Sequence, residues 1–173
     1  MLNTRGLAVS TCLAVLATGS PVAAQDAGLR SSIGPHLGLN FDAEDAYLGL
    51  QGRVGVVEIT PTVLLQLYPN ASYYFTGDPG PTVINFSFDV PFEFVIRNSV
   101  LRPYAAPGLG IWYLHWDTRV GDDTGLDLTL NLLGGLLFAL QGVEPFVELR
   151  LIVGGGYGND LDAELRGGVV FVL

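Results

Sequence analysis

Apolar and polar positions alternate along most of this 173-residue chain. The stretch VINFSFDVPFEFVI (residues 83–96) shows it best. Ile84, Phe86, Phe88, Val90, Phe92, Phe94 and Ile96 are apolar, while Asn85, Ser87, Asp89 and Glu93 fall between them. A period of two marks a β-strand with two unlike faces. Eight such runs are predicted, over about 32–41, 46–54, 57–68, 82–96, 100–116, 125–140, 143–153 and 161–173. In the sixth, Leu126, Leu128, Leu130, Leu132, Leu136, Phe138 and Leu140 oppose Asp127, Thr129 and Asn131. In the seventh, Val147, Leu149, Leu151 and Val153 oppose Glu144, Glu148 and Arg150, and the eighth repeats the pattern against Asp162, Glu164 and Arg166. The third sets Val57, Ile59, Val63, Leu65 and Leu67 against Glu58, Thr60, Thr62 and Gln66. No helical period appears after the first 24 residues. The links alternate: DAED, PNASYYFTGDPGP, DTRVGDDTG and GGGYGND are longer, and those near Gly55, at RNS and at QG are tight. Long loops at one end and short turns at the other suit an up-and-down barrel.

The first 24 residues read as a cleavable leader: Arg5, an apolar run from Leu7 to Ala17, then Pro21, and the small-residue ending Val22–Ala24. That run is too short to span a bilayer as a mature helix. A lipid-modified Cys12 would need a small residue before it, where Thr11 stands, and would cut the apolar run in two. The predicted organisation is therefore 1–24 signal peptide, 25–31 a short N-terminal segment, and 32–173 the barrel. Losing the leader removes the single Cys and the single Met, which excludes disulfides and thiolate chemistry. It also removes Arg5, so the formal charge of −9 becomes −10, with no Lys anywhere. Nucleic acid is excluded as a partner, since phosphate binding needs a basic patch.

Composition decides which face looks inward. Only 14% of residues are charged and the mean hydropathy is +0.42, against about 25% charged in an ordinary soluble domain. A soluble lipocalin-like barrel binding an apolar ligand needs a well-charged exterior. Eight strands also leave an interior only wide enough for side chains to fill, and the Phe and Leu faces would overfill it. The apolar face is thus predicted to meet lipid, and only helices and closed barrels satisfy the backbone there. The expected fold is all-β, a closed eight-stranded antiparallel transmembrane β-barrel. A lumen charge network of Arg53, Glu58, Asp89, Glu93, Arg102, Asp127, Glu148, Arg150, Glu164 and Arg166 is predicted to plug it. Tyr73, Tyr74, Tyr104, Trp112, Tyr113, Trp116 and Phe171 fall near strand ends and are expected to form interfacial girdles. Pro61, Pro91 and Pro107 strain this reading, because each removes a ladder donor inside a predicted strand.

LRPYAAPGLGIWYL resembles the Pro-Tyr-x-x-x-Gly-x-Gly segment of the small eight-stranded outer-membrane barrels, the OmpA-like and OmpX-like "porin family" proteins, and VEPFVELRL resembles their seventh strand. The ending RGGVVFVL resembles their assembly signal through Arg166, Gly168, Phe171 and Leu173, although the family usually ends in Phe. The resemblance implies a Gram-negative-type outer membrane, its lipid and the barrel-assembly machinery as partners, and a monomer. A structural or surface-interaction role follows from it. The family also contains a lipid A deacylase with a His-x-Ser pairing, so a lipid-modifying enzyme is a third reading. His115 is followed by Trp116 and Asp117, and His36 by Leu37 and Gly38, so that spacing is absent. No catalytic, cofactor-binding or metal residues are assigned, and no cofactor. Asp42, Glu44 and Asp45, with Asp122 and Asp123, read as solvated acidic loops without EF-hand spacing. GGGYGND and PGLG lie on no strand-to-helix turn, so they form no phosphate cradle.

Overall fold

The computed structural model describes residues 29–77, 80–118, 121–154 and 160–173. The leader and most of GGGYGND lie outside the described residues, as does the side chain of Asp122. Among these residues nine strands are present: β1 (Ser31–Asn40), β2 (Ala46–Thr60), β3 (Val63–Phe75), β4 (Thr82–Asp89), β5 (Phe92–Phe94), β6 (Leu101–Thr118), β7 (Gly121–Phe138), β8 (Val143–Val153) and β9 (Leu161–Val172). Every pairing is antiparallel, and β1 pairs with β9, so the sheet closes on itself. No helix among the described residues is long and apolar enough to cross a membrane.

β4 and β5 form one wall of the barrel, which therefore has eight. On one side Asp89 faces Tyr68 and Phe92 faces Leu65; on the other they face Gly108 and Ala105, with the register unchanged across the gap. Pro91 interrupts the ladder only because it has no N–H to give. The neighbouring groups stay bonded: Val90 N donates to Pro107 O (2.9 Å) and Gln66 N donates to Pro91 O (3.0 Å). Pro61 lies in the two-residue turn between β2 and β3, and Pro107 faces outward from β6. A closed barrel thus accommodates all three.

Two sequence expectations shift. The turn expected near Gly55 lies instead at Pro61–Thr62, and β3 continues through much of the expected loop to Phe75. Gly55 is within the ladder, its N–H bonded to Arg30 O (2.9 Å). β6 and β7 also extend through most of DTRVGDDTG, making the longest hairpin of the barrel.

Burial follows parity around the wall. Leu126, Leu128, Leu130 and Leu132 are 57–74% exposed on the outside of β7, while Thr129 and Asn131 between them are buried. In 83–96 Phe86, Phe88, Phe92 and Phe94 face out, and Asn85, Ser87, Asp89 and Glu93 face in. Every backbone group that pairs around a closed wall is spared a desolvation cost in hydrocarbon. Inside, large side chains lie flat where a neighbouring strand offers glycine. A Cβ at Gly135 would stand 2.6 Å from Tyr104 Cζ, and one at Gly38 would strike the Tyr47 ring.

Candidate functional site

The functional interior is a stack of polar layers built from inward positions of every wall. Nearest the short turns, Glu93 on β5 accepts from Arg102 NH1 (2.9 Å) and Gln66 Nε2 (2.8 Å). Arg30, just before β1, bridges Glu93 (3.4 Å) and Glu144 (2.8 Å). One layer up, the Arg53 guanidinium lies over the rings of Tyr68, Tyr104 and Phe146, 4.4–5.0 Å from their centroids. Such contacts strengthen when desolvated. Tyr104 OH accepts from Arg53 NH2 (3.2 Å) and donates to Glu148 Oε2 (2.5 Å), and Glu148 also pairs with Arg166 directly across the β8–β9 ladder.

Above this, Asp89 is the hub. It accepts from Arg150 NH2 (2.5 Å), Asn131 Nδ2 (3.2 Å), Asn70 Nδ2 (3.3 Å) and Ser87 Oγ (3.4 Å). Glu164, opposite Arg150 in the ladder, takes bonds from Tyr74 OH (2.5 Å), Tyr47 OH (3.1 Å) and Asn40 Nδ2 (3.5 Å). His36 Nε2 lies 3.0 Å from Ser72 Oγ. Towards the loops an aromatic stack closes the lumen: Tyr47 against Tyr74 (4.6 Å) and Tyr74 against Trp112 (4.8 Å), packed with Val83, Leu114, Ile152 and Trp116. A charge in such an interior is tolerable only when it is paired and hydrogen-bonded. Among the described residues, the five buried or nearly buried arginines (30, 53, 102, 150, 166) sit among six buried acids (89, 93, 144, 148, 162, 164).

The structure brings Arg53, Asp89, Glu93, Arg102, Glu148, Arg150, Glu164 and Arg166 into this lumen. It does not bring Glu58. The β1–β2 ladder stops where Ser31, the first residue of β1, faces Val54, and two register shifts follow in β2, so Glu58 is exposed on a hairpin projecting past the barrel rim. Asp127 is half-buried, opposite Trp112 near the loop end. The aromatic assignment also divides. Tyr73 and Phe171 face outward, and Tyr113 stacks on His115 (6.5 Å) between buried neighbours. Tyr74, Tyr104 and Trp112 are buried in the lumen, and Trp116 packs against the inner cluster. Proximity to a strand end suggested a girdle; the parity of the polar face puts them inside. Of the four residues read as the assembly signal, Arg166 pairs with Glu148, Gly168 lies against His36, Phe171 faces out, and Leu173 N donates to Ser31 O (2.9 Å). Arg30, Glu144, Tyr47, Tyr68 and His36 are part of the interior and stand outside the ten residues named for the charge network. The polar parity already held Glu144, and the same parity applied to the aromatics and to the residue before β1 finds Tyr47, Tyr68 and Arg30.

Among the described residues no three His, Cys, Asp or Glu side chains are gathered in a metal-holding group. The outer wall carries an apolar groove of about 350 Å³ beside Leu48, Leu50, Tyr73, Ile84 and Phe86, with Gly49 and Ser72 also lining it.

The architecture defines a class, the closed eight-stranded barrel of the outer-membrane type, and solved structures share it. The N-terminal β-barrel domain of Pseudomonas aeruginosa OprF superposes with a TM-score of 0.65 at 17% identity, covering 84% of this chain and 100% of that one. Neisserial surface protein A gives 0.58 at 14% identity, over 83% and 94%. The outer membrane enzyme PagL gives 0.56 at 19% identity, over 81% and 98%. These likenesses show the fold. No protein-family model and no curated protein sequence matches the chain.

Proposed function

We propose that this protein spans an outer membrane as a monomeric barrel whose lumen is plugged, and that it serves as a structural or surface-interaction protein rather than a conduit. The supporting observation is the division of the wall, with Phe and Leu outside and a paired, hydrogen-bonded charge network inside. Water would hydrate an open lumen; here aromatic rings and guanidinium groups fill it from the turns to the loops. Export by the leader, insertion by the barrel-assembly machinery and contact with outer-membrane lipid belong to the same reading. Expression with the leader, outer-membrane fractionation and SDS gel mobility with and without boiling test it. A membrane-bound band that shifts on heating is expected. A soluble periplasmic band would invert the barrel and make the apolar face a ligand pocket. Purified protein in planar bilayers is expected to show no large stable conductance, and one would sink the plugged lumen.

A second reading, a lipid-modifying hydrolase, draws on the His36–Ser72 pair beside the outer groove and on the similarity to PagL. Ser72 is buried on the lumen side, and His36 Nδ1 has no hydrogen-bond partner to orient it among the described residues. A hydrolytic triad needs that third group. Loss of a lipid A acyl chain on overexpression, absent in Ser72→Ala, would favour this second reading over the first.

A further inference from the structure

At the loop end of β1 and β9 two carboxylates meet with no basic side chain between them among the described residues. The ladder pairs Asn40 with Glu164, and Phe41 N donates to Ala163 O (2.9 Å), so continuing the register brings Asp42 opposite Asp162. Asp42 is itself held in place, Oδ2 accepting from Ala163 N (2.9 Å), and its own N–H donates to Asn40 Oδ1 (3.0 Å). Like charges directly opposite each other across a ladder repel. Asp162 compounds the problem: it is only 1% exposed, and among the described residues neither of its oxygens has a geometric hydrogen-bond partner. The Asn40 amide lies between the two acids, 3.5 Å from Glu164 Oε1, and gives Asp162 only weak support. An ionised, buried and unpartnered carboxylate is strongly disfavoured unless something positive joins it. The guanidinium groups of the lumen are engaged one layer below, Arg150 with Asp89 and Arg166 with Glu148.

We propose that Asp162 and Asp42 bind a hard divalent cation, Mg²⁺ or Ca²⁺, at this rim. Oxygen-only ligation by carboxylates selects such ions, and with two carboxylates the ion keeps waters in its remaining positions. The site differs from a chelating cage in that no third acid group joins it among the described residues. Its affinity belongs with the weak extracellular class, a Kd on the order of 10⁻³ M. Binding joins the first wall to the last, at the seam where the barrel closes.

The test uses purified protein in a zwitterionic detergent, which supplies no anionic headgroup to compete for the metal. The unfolding temperature is read from the heat-induced gel shift in EDTA and in about 10 mM MgCl₂ or CaCl₂, with NaCl matched for ionic strength. The wild type is expected to rise by about 3–6 °C with divalent metal, and Asp162→Asn to lose that rise while folding to the same heat-modifiable band. Calorimetric titration of the wild type with CaCl₂ alone gives a second readout, independent of the variant's folding, and Asp42→Asn is expected to weaken it. A wild type indifferent to metal by both readouts would overturn the proposal and leave Asp162 holding a proton. An equal rise in Asp162→Asn would overturn it too, by moving the ion elsewhere in the acidic loops.

Discussion

Asp89 offers the sharpest test of how the lumen is held. It is fully buried and pairs with Arg150 at 2.5 Å, while Asn70, Asn131 and Ser87 complete its shell. Asp89→Asn keeps the shape, which matters because Gly108 backs directly onto this side chain. It removes the counter-charge and leaves Arg150 buried beside Glu164, whose own oxygens already accept from Tyr47, Tyr74 and Asn40. Breaking one partner of a buried pair costs about 3–5 kcal/mol; the retained amide bonds place this case at the lower end, about 3 kcal/mol. With a urea m-value of about 2 kcal/mol/M, the unfolding midpoint falls by about 1.5 M. The assay is reversible urea unfolding in lipid vesicles followed by the fluorescence of the two tryptophans, Trp112 and Trp116. The double variant Asp89→Asn/Arg150→Met removes both charges, and it is expected to recover to within about 1–2 kcal/mol of wild type, since a buried ion pair is often replaceable by neutral groups. A single variant within about 0.5 kcal/mol of wild type, or a double variant that simply adds two losses, would refute the pairing as the organising interaction.

Leu130→Arg, at the middle of the outward face of β7, is expected to cost about 2–4 kcal/mol in a bilayer; vesicle unfolding that shows no loss would mean this face is solvated. Trp112→Ala empties the loop-end stack and should cost about 3–5 kcal/mol by the same measurement, whereas a girdle tryptophan would cost far less. Tyr74→Phe removes the 2.5 Å bond to Glu164 and should cost about 1.5–3 kcal/mol, the range for a hydrogen bond to a charged group. Gly135→Val pushes into the Tyr104 ring and should slow or prevent formation of the heat-modifiable band, while Gly134→Val, exposed on the outside, should not.

Most of the wall was legible in the sequence because a period of two survives any uncertainty about neighbours. VINFSFDVPFEFVI alone separates the outer face from the lumen correctly, and the proline inside it leaves the register intact. The β2–β3 boundary was not legible. Gly55 reads as a turn residue, yet the chain bends only at Pro61, and the intervening residues shift register twice, which erases the parity that would have exposed Glu58. The interior aromatics were misplaced for a different reason. Trp112 and Tyr104 share the polar parity of their strand, but aromatics are expected at the interfaces, and nothing local says that an arginine will lie across them. Arg53 meets Tyr68, Tyr104 and Phe146 from three separate walls. Only closure of the barrel creates that contact.

The missing donor at Pro91 has a consequence before the barrel exists. Residues 83–96 are a long alternating run with four phenylalanines and no basic residue, and a chain whose barrel has not yet closed exposes that run to water. Segments of this kind stack into cross-β aggregates when their ladders are uninterrupted, and a single proline is enough to break the stacking. In the finished wall the same residue does little harm, since Val90 and Gln66 bond around it. Replacing Pro91 by Val would therefore leave the folded barrel nearly unchanged, yet turn its unfolded precursor into a nucleus for fibrils.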